Sequence, residues 1–371
     1  MTKIAVIVKT SGLEFDDRVR KVSLALSKKY NVKILVLLND NSSSQGLTSY
    51  GIEFESIRLV TRNVLPSAKL LPIKMLEFYF RLRKRLRLFD VIWANEESTF
   101  IFPLLAKKNS FIWDLHEIPE FFLSGYKRKI FQYIERKALK IIHANPQRIK
   151  FLIDNSVINL SEKHDYIHNF PDQVFINSNE EPSIYKNFIS WLDNDKYVYL
   201  QGLSGIARYP YNTIASIIEQ TDYKILVVGK VHPESLFNLE KEYGDKIKQR
   251  LFNAGMVNQL AIPMLLKESL FSIVLYETSK PNNRFCEANR LYQTISLGVP
   301  VIVGKNESMA DVVQGKYGIV MKTDGSDINE LKESIFKLSS DIEFYKSNCI
   351  KHSEDYIWKD EYINFDWLSD K

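Results

Sequence analysis

The sequence predicts an α/β protein built from two doubly wound, mostly parallel sheets in tandem, and three observations predict it. Short apolar runs alternate with helical patterns over the first 164 residues. That rhythm breaks across 165–196, where Asn, Pro, Ser and acids gather, and Tyr197 then restarts it. A chain of 371 residues with 45% hydrophobic composition is long enough and apolar enough for two separate cores.

Each strand is a short apolar run closed by polar or turn-forming residues, and each helix is a longer stretch with the helical period. In the first half, strands are predicted at 3–9, 32–38, 54–59, 91–94, 111–115 and 140–144, with helices at 17–29, 73–88, 100–107 and 127–139. The stretch NFPDQVFINSNEEPSIYKNF is rich in turn formers, so 173–196 is expected as a linker. In the second half, strands are predicted at 197–200, 224–228, 248–253, 271–276, 299–303 and 318–322. Helices fall at 211–219, 234–243, 259–267, 288–297 and 329–338. The tail 342–368 reads as helical and aromatic, with Tyr356, Trp358, Tyr362, Phe365 and Trp367. Domains are therefore expected at 1–172, rejoined by the tail 353–371, and at 197–352. An interdomain cleft lined by the carboxyl ends of both strand sets is expected to hold ligand, as in other open α/β sheets.

Composition excludes several classes. No apolar run approaches the ~18 residues of a membrane span. The start, MTKIAVIVKTSG, enters a strand at once and lacks the apolar region and cleavage site of a secretory signal. Two cysteines, Cys286 and Cys349, argue against a disulfide framework and suit a reducing cytoplasm. Residues 1–180 carry 28 Lys and Arg against 19 Asp and Glu, a net +9, whereas 181–371 carry a net −4. The basic first half points to an anionic partner such as a membrane surface or a lipid phosphate. Nucleic acid is not expected, because no aromatic stacking platform or known module accompanies the charge.

The segment NNRFCEANRLYQTISLGVPVIV, from Asn282 to Val303, carries the most chemistry. It reads as a polar loop, a helix starting near Ala288, a stop at Gly298 and an apolar strand. Unpaired N–H groups and the helix dipole make such a helix start a site for phosphates. Arg284 and Arg290 add mobile positive charge there. An ordinary αβ unit with surface arginines is the plain alternative.

With the segments KIAVIVKTSGLEFDDRVRKVSLAL, VIWANEE, FIWDLHEIPE, LKIIHANP, YIHNFPD and YLQGLSGIARYP in the same order, the chain resembles bacterial GT-B glycosyltransferases of the large retaining family 4. The resemblance spans nearly the whole length. It implies a GT-B fold, two Rossmann-like domains with a C-terminal helical tail crossing back. It also implies transfer of a sugar from a nucleotide diphosphate without a metal. Two departures stand out: Phe285 and Gln293 occupy positions where that family carries glutamates, and the first loop has only Gly12 where a Gly-Gly pair is common.

The resemblance assigns Arg208, six residues after Gly202, and Arg290 to the departing diphosphate. Preorganised cations at developing charge are each worth roughly 10²–10³ in rate. His116, after the strand FIWDL, is implied to approach the donor sugar, with Asp114 orienting its ring. Gln293 is assigned to ribose as a neutral amide. Asn289 and the backbone at Phe285, Cys286 and Glu287 are assigned to diphosphate or sugar, Val257 to the base, and Gly12 to the donor as well. Glu287 reads equally as a carboxylate at a helix start. Asp17 and Arg18, together with Arg83, Arg85 and Arg87 of IKMLEFYFRLRKRLRL, are placed on the acceptor or membrane side. A helix on anionic lipid and a domain helix with a solvated basic face both fit that last run. Asp193 and Asp195 mimic a metal motif that a turn explains, and His164 with His168 lacks a third ligand.

The expected activity is retaining transfer from a nucleotide-diphosphate sugar to a lipid-linked or polysaccharide acceptor, as in bacterial capsule, lipopolysaccharide or exopolysaccharide assembly. It is expected in the cytoplasm at the inner face of the cell membrane, with no cofactor. A catalytically inactive GT-B partner subunit and a nucleotide-sugar epimerase are the alternatives.

Overall fold

Eight strands form the first sheet: β1 (Lys3–Thr10), β2 (Asn31–Leu38), β3 (Gln45–Leu47), β4 (Glu53–Ser56), β5 (Val91–Asn95), β6 (Phe111–Leu115), β7 (Lys140–His143) and β8 (His164–Tyr166). Their order is β3-β4-β2-β1-β5-β6-β7-β8, parallel throughout except at β3–β4. Central strands such as β5 and β6 are buried at every residue, which is why they read as unbroken apolar runs. The computed structural model describes residues 1–64, 70–360 and Leu368, and the chain divides into two units, 1–168 with Asp360 and Leu368, and 169–359.

The second unit holds six parallel strands: β9 (Tyr197–Gln201), β10 (Lys224–Val228), β11 (Leu251–Gly255), β12 (Ser272–Val274), β13 (Val301–Val303) and β14 (Gly318–Val320). Their order is β11-β10-β9-β12-β13-β14. Strand order reverses between β9 and β12, and loops leaving the carboxyl ends of two such strands diverge to opposite faces, which opens a crevice.

Three expectations are corrected. The segment 173–196 is not a linker: it forms helices Gln173–Ile176 and Tyr185–Leu192 within the second unit. Phe175 and Phe188 are buried against Tyr197, Tyr199 and Leu265, and Tyr185, Phe188 and Trp191 stand three residues apart on one helical face. The turn formers hid that spacing. The tail is a helix, Ile342–Lys351, followed by a 3₁₀ turn, Ser353–Tyr356. Residues 353–359 belong to the second unit, where Tyr356 stacks on Tyr292 at 5.6 Å and the Trp358 N–H donates to the Pro171 carbonyl. Asp360 belongs to the first unit and pairs with Lys28. Tyr362, Phe365 and Trp367 lie outside the described residues. Finally, β3 and β8 were absent from the expected strands, because each is a three-residue edge strand with no apolar run.

Candidate functional site

In the second unit, β9 ends at Gln201 and the chain turns through Gly202 at φ +66°. A Cβ at Gly202 would lie 2.8 Å from Arg208 Nη1 and 3.7 Å from Arg290 Nη1, so glycine lets both guanidiniums close on the strand end. Arg208 follows in a 3₁₀ turn, Ile206–Arg208, and donates to the Gly202 carbonyl. Arg290 sits in the first turn of helix Asn289–Ser296, 7% exposed, and donates from Nη1 to the Gln201 carbonyl. The Tyr276 ring, just beyond β12, lies 5.2 Å from one guanidinium carbon and 5.1 Å from the other. Two like charges therefore meet one aromatic ring at the β9/β12 switch point.

The remaining valence of Arg290 is unmet. Its Nε and Nη2 are buried without a hydrogen-bond partner, and so is Oε1 of Gln293 one turn on. Burial, with neighbouring Arg208, pulls the Arg290 guanidinium below its ordinary value, and Tyr276 opposes them. Unpaired buried donors on a charged group are costly, so an anion is the natural complement. Beside them a recess of about 260 Å³ is lined by Gln201, Gly202, Ser204, Gly229, Lys230, Met256 and Val257.

Of the residues expected at a donor site, Arg208, Arg290, Gln293 and Val257 are thus placed at one end of the second sheet. Glu287 and Phe285 are buried, at 5% and 6% exposure, and Cys286 is half-buried in the turn before the helix. Asn289 is exposed at the helix start. Gly12 lies in the first unit, after β1, with extended backbone at φ −163°. Arg284 and Arg290 are not mobile charges: Arg284 pairs with Glu307, and Arg290 is packed as described. Sequence reasoning missed Tyr276, whose signal was its place just past a buried strand.

In the first unit, β6 delivers Asp114 and His116. His116 Nδ1 is 2.7 Å from Glu96 Oε1, and its Nε2 is 3.7 Å from Asp114 Oδ2 and buried without a partner. Burial alone would lower this imidazole, but the Glu96 and Asp114 carboxylates outweigh it and push it up to about 10. His116 is therefore a cation set between the Glu96 and Asp114 carboxylates. Asp114 is fully buried, accepts from Arg18 Nη2 at 2.8 Å and Nε at 3.2 Å, and from Trp93 Nε1 at 3.3 Å. Burial favours the neutral acid, yet Arg18 and His116 hold its carboxyl well below the usual range. Glu96, which holds the ring, was not among the expected residues; it leaves β5 beside β6, as strand order alone reveals.

Arg18, expected on the acceptor or membrane side, is held in this buried pair: it is 5% exposed and also donates to the Ile167 carbonyl at 2.5 Å. Asp17 is engaged by Arg20 and Lys21 of its own helix. Arg83, Arg85 and Arg87 are exposed at the end of helix Leu71–Leu86, with Arg85 paired to Glu55 at 2.9 Å. Asp195 pairs with Lys224, and Asp193 adopts φ +49° at a helix end. His164 is buried between His143 at 2.8 Å and Glu135 at 3.1 Å. Among the described residues no group of three or more His, Cys, Asp or Glu stands where it could hold a metal ion.

No family model and no curated protein matches the chain. Solved structures do. Sucrose-phosphate synthase from Thermosynechococcus elongatus matches with a TM-score of 0.75 at 14% identity, over 100% of this chain and 98% of that one. Anabaena HepE, in complex with UDP and glucose, gives 0.70 at 15% identity, over 100% and 99%. WaaG, a glycosyltransferase involved in lipopolysaccharide biosynthesis, gives 0.64 at 14%, over 95% of each chain. At these identities the likeness shows the fold, which is GT-B, two Rossmann-like doubly wound units.

Proposed function

We propose that this GT-B chain is a glycosyltransferase that takes a sugar from a nucleoside diphosphate. The observation that carries the reading is Arg290, whose buried Nε and Nη2 lack partners beside Arg208 at the switch point of the second sheet. In this reading the diphosphate lies against both guanidiniums, Gln293 Oε1 accepts from a ribose hydroxyl, and the base enters the recess at Val257. HepE has been solved in complex with UDP and with UDP-glucose, and a structurally similar E. coli protein with UDP-2-fluoroglucose, which makes UDP the first probe.

The acceptor hydroxyl attacks the anomeric carbon, the bond from that carbon to the phosphate oxygen breaks, and the hydroxyl proton passes to the departing phosphate. Arg208 and Arg290, rather than a metal ion, meet the charge that grows on the diphosphate. EDTA should accordingly leave UDP binding unchanged. Retention of anomeric configuration belongs to the proposal and rests on the resemblance of the motifs; the proton NMR coupling of the first-formed product reads it. We assign the acceptor to the first unit, and a sugar hydroxyl to the cationic imidazole of His116.

The acceptor is proposed to be lipid-linked or a growing glycan, presented at the inner face of the cell membrane. Support comes from helix Leu71–Leu86, where exposed Ile73, Leu76 and Phe80 share a face with Arg83 and Arg87. No helix among the described residues is long and apolar enough to cross a membrane. Donor hydrolysis and transfer in the wild type, His116→Ala and Arg290→Ala test the mechanism. Each variant should lose about 10²-fold or more, and equal rates in all three would refute it.

A further inference from the structure

The first unit contains a second gathering of cations that the donor reading does not use. A recess of about 500 Å³ is lined by Lys9, Asn39, Asp40, Asn41, Arg62, Asn63, Leu71 and Lys74. Lys9 is the next-to-last residue of β1, and Asn39 and Asp40 follow β2, so the recess opens at the carboxyl ends of two adjacent parallel strands. Arg62 reaches it from the short helix Thr61–Val64 and donates to the Leu38 carbonyl. Lys74, 7% exposed, comes from the first turn of helix Leu71–Leu86.

Lys9, Arg62 and Lys74 thus line one recess, and among the described residues the only carboxylate in the lining is Asp40. That group is exposed and accepts from the Ser42 N–H at 3.0 Å. Among the described residues the Lys9 ammonium forms no hydrogen bond or ion pair. Burial, then the neighbouring Arg62, pull Lys9 below its ordinary value; the Glu96 carboxylate opposes them, ahead of a smaller downward push from Lys74. Burial likewise lowers Arg62. Like charges crowded into a half-buried recess repel unless an anion joins them. The amides of Asn39, Asn41 and Asn63 add neutral polar groups around the rim.

We infer that this recess binds a phosphate group carried by the acceptor, held by Lys9 and Arg62. A phosphate monoester brings close to two negative charges and several acceptor oxygens, which match the excess charge of the lining. The inference rests on the assignment of the acceptor to the first unit. The phosphate can sit on a soluble sugar or on a lipid head. The exposed Ile73 and Leu76 beside Lys74 offer a lipid a place to lie.

Calorimetric titration of the whole chain with glucose 6-phosphate, and with vesicles containing phosphatidic acid, tests it. UDP is held saturating so that the arginines of the second unit are occupied. Lys9→Gln and Arg62→Gln should each weaken phosphate binding about tenfold or more, and Lys9→Glu should abolish it. UDP affinity should stay unchanged in all three. Lys9-dependent binding of glucose 6-phosphate supports the site with a soluble acceptor; Lys9-dependent binding of vesicles alone supports it with a lipid-borne one. Equal titrations in wild type and Lys9→Glu with both probes would overturn it, whether or not UDP binds. Should Arg62→Gln unfold through loss of the Leu38 contact, the Lys9 variants still decide.

Discussion

Glu96 holds its backbone at φ +70°, a conformation that costs a non-glycine residue about 1–3 kcal/mol, and in doing so puts its carboxylate on His116. The result is a titration with a predictable sign. The His116 imidazole rises from 6.5 to about 10 on folding, so its stabilisation is complete below pH 6.5 and is lost as pH climbs through about 10. Urea unfolding should show wild type more stable than His116→Gln at about pH 6, with the gap closing by about pH 10. A gap that does not change with pH would contradict a charged His116. Tyr276 is a positioning residue of the same kind, with Arg208 and Arg290 over one ring. Tyr276→Leu should weaken UDP binding about fivefold to tenfold with little change in Tm, and Tyr276→Phe should recover most of it, because both guanidiniums meet the ring while the phenol adds a contact to Arg290. Equal loss in the Phe and Leu variants would refute that role. His116 and Arg290 were legible in the sequence because a strand end and a helix start are marked locally. Glu96 and Tyr276 were not, since their partners are set by strand order across 20 and 14 residues of chain.

Helix Leu71–Leu86 shows how one element serves two surfaces. Met75, Phe78, Leu82 and Leu86 are buried, while Ile73, Leu76 and Phe80 remain 47%, 38% and 56% exposed on another face, continued by Arg83 and Arg87. Arg85 is held by Glu55, which leaves Arg83, Lys84 and Arg87 to act. Near an anionic leaflet each basic residue is worth about 1 kcal/mol. Arg83→Glu with Arg87→Glu should therefore cut co-sedimentation with anionic vesicles more than tenfold, and raised salt should weaken the wild type. Unchanged co-sedimentation would assign these arginines to a solvated face. The amphipathic run was plain in the sequence, but the extra exposed apolar face was not, because a helical period shows which residues share a face and not what covers it. The helices at Gln173–Ile176 and Tyr185–Leu192 were hidden for the opposite reason. Local turn formers outweighed three aromatics whose burial depends on the second sheet.

At the scale of the molecule, the two doubly wound sheets followed from the alternation of apolar runs, and most strands fell within a few residues of expectation. Strands buried on both faces announce themselves, whereas edge strands such as β3 and β8 do not. The charge split between halves also has a structural counterpart, since the basic recess and the basic helix both belong to the first unit. The unpaired guanidinium nitrogens that carry the functional reading belong to the second. The most direct test is UDP binding by thermal shift and calorimetry in the wild type and in Arg290→Ala. UDP at 100 times its Kd should stabilise the wild type by about 2.7 kcal/mol, and Arg290→Ala should lose about 10²-fold in affinity while remaining folded. Equal UDP affinity in the two proteins, or no shift of the wild type with UDP, ADP, GDP or CDP, would contradict a nucleoside diphosphate site at Arg290.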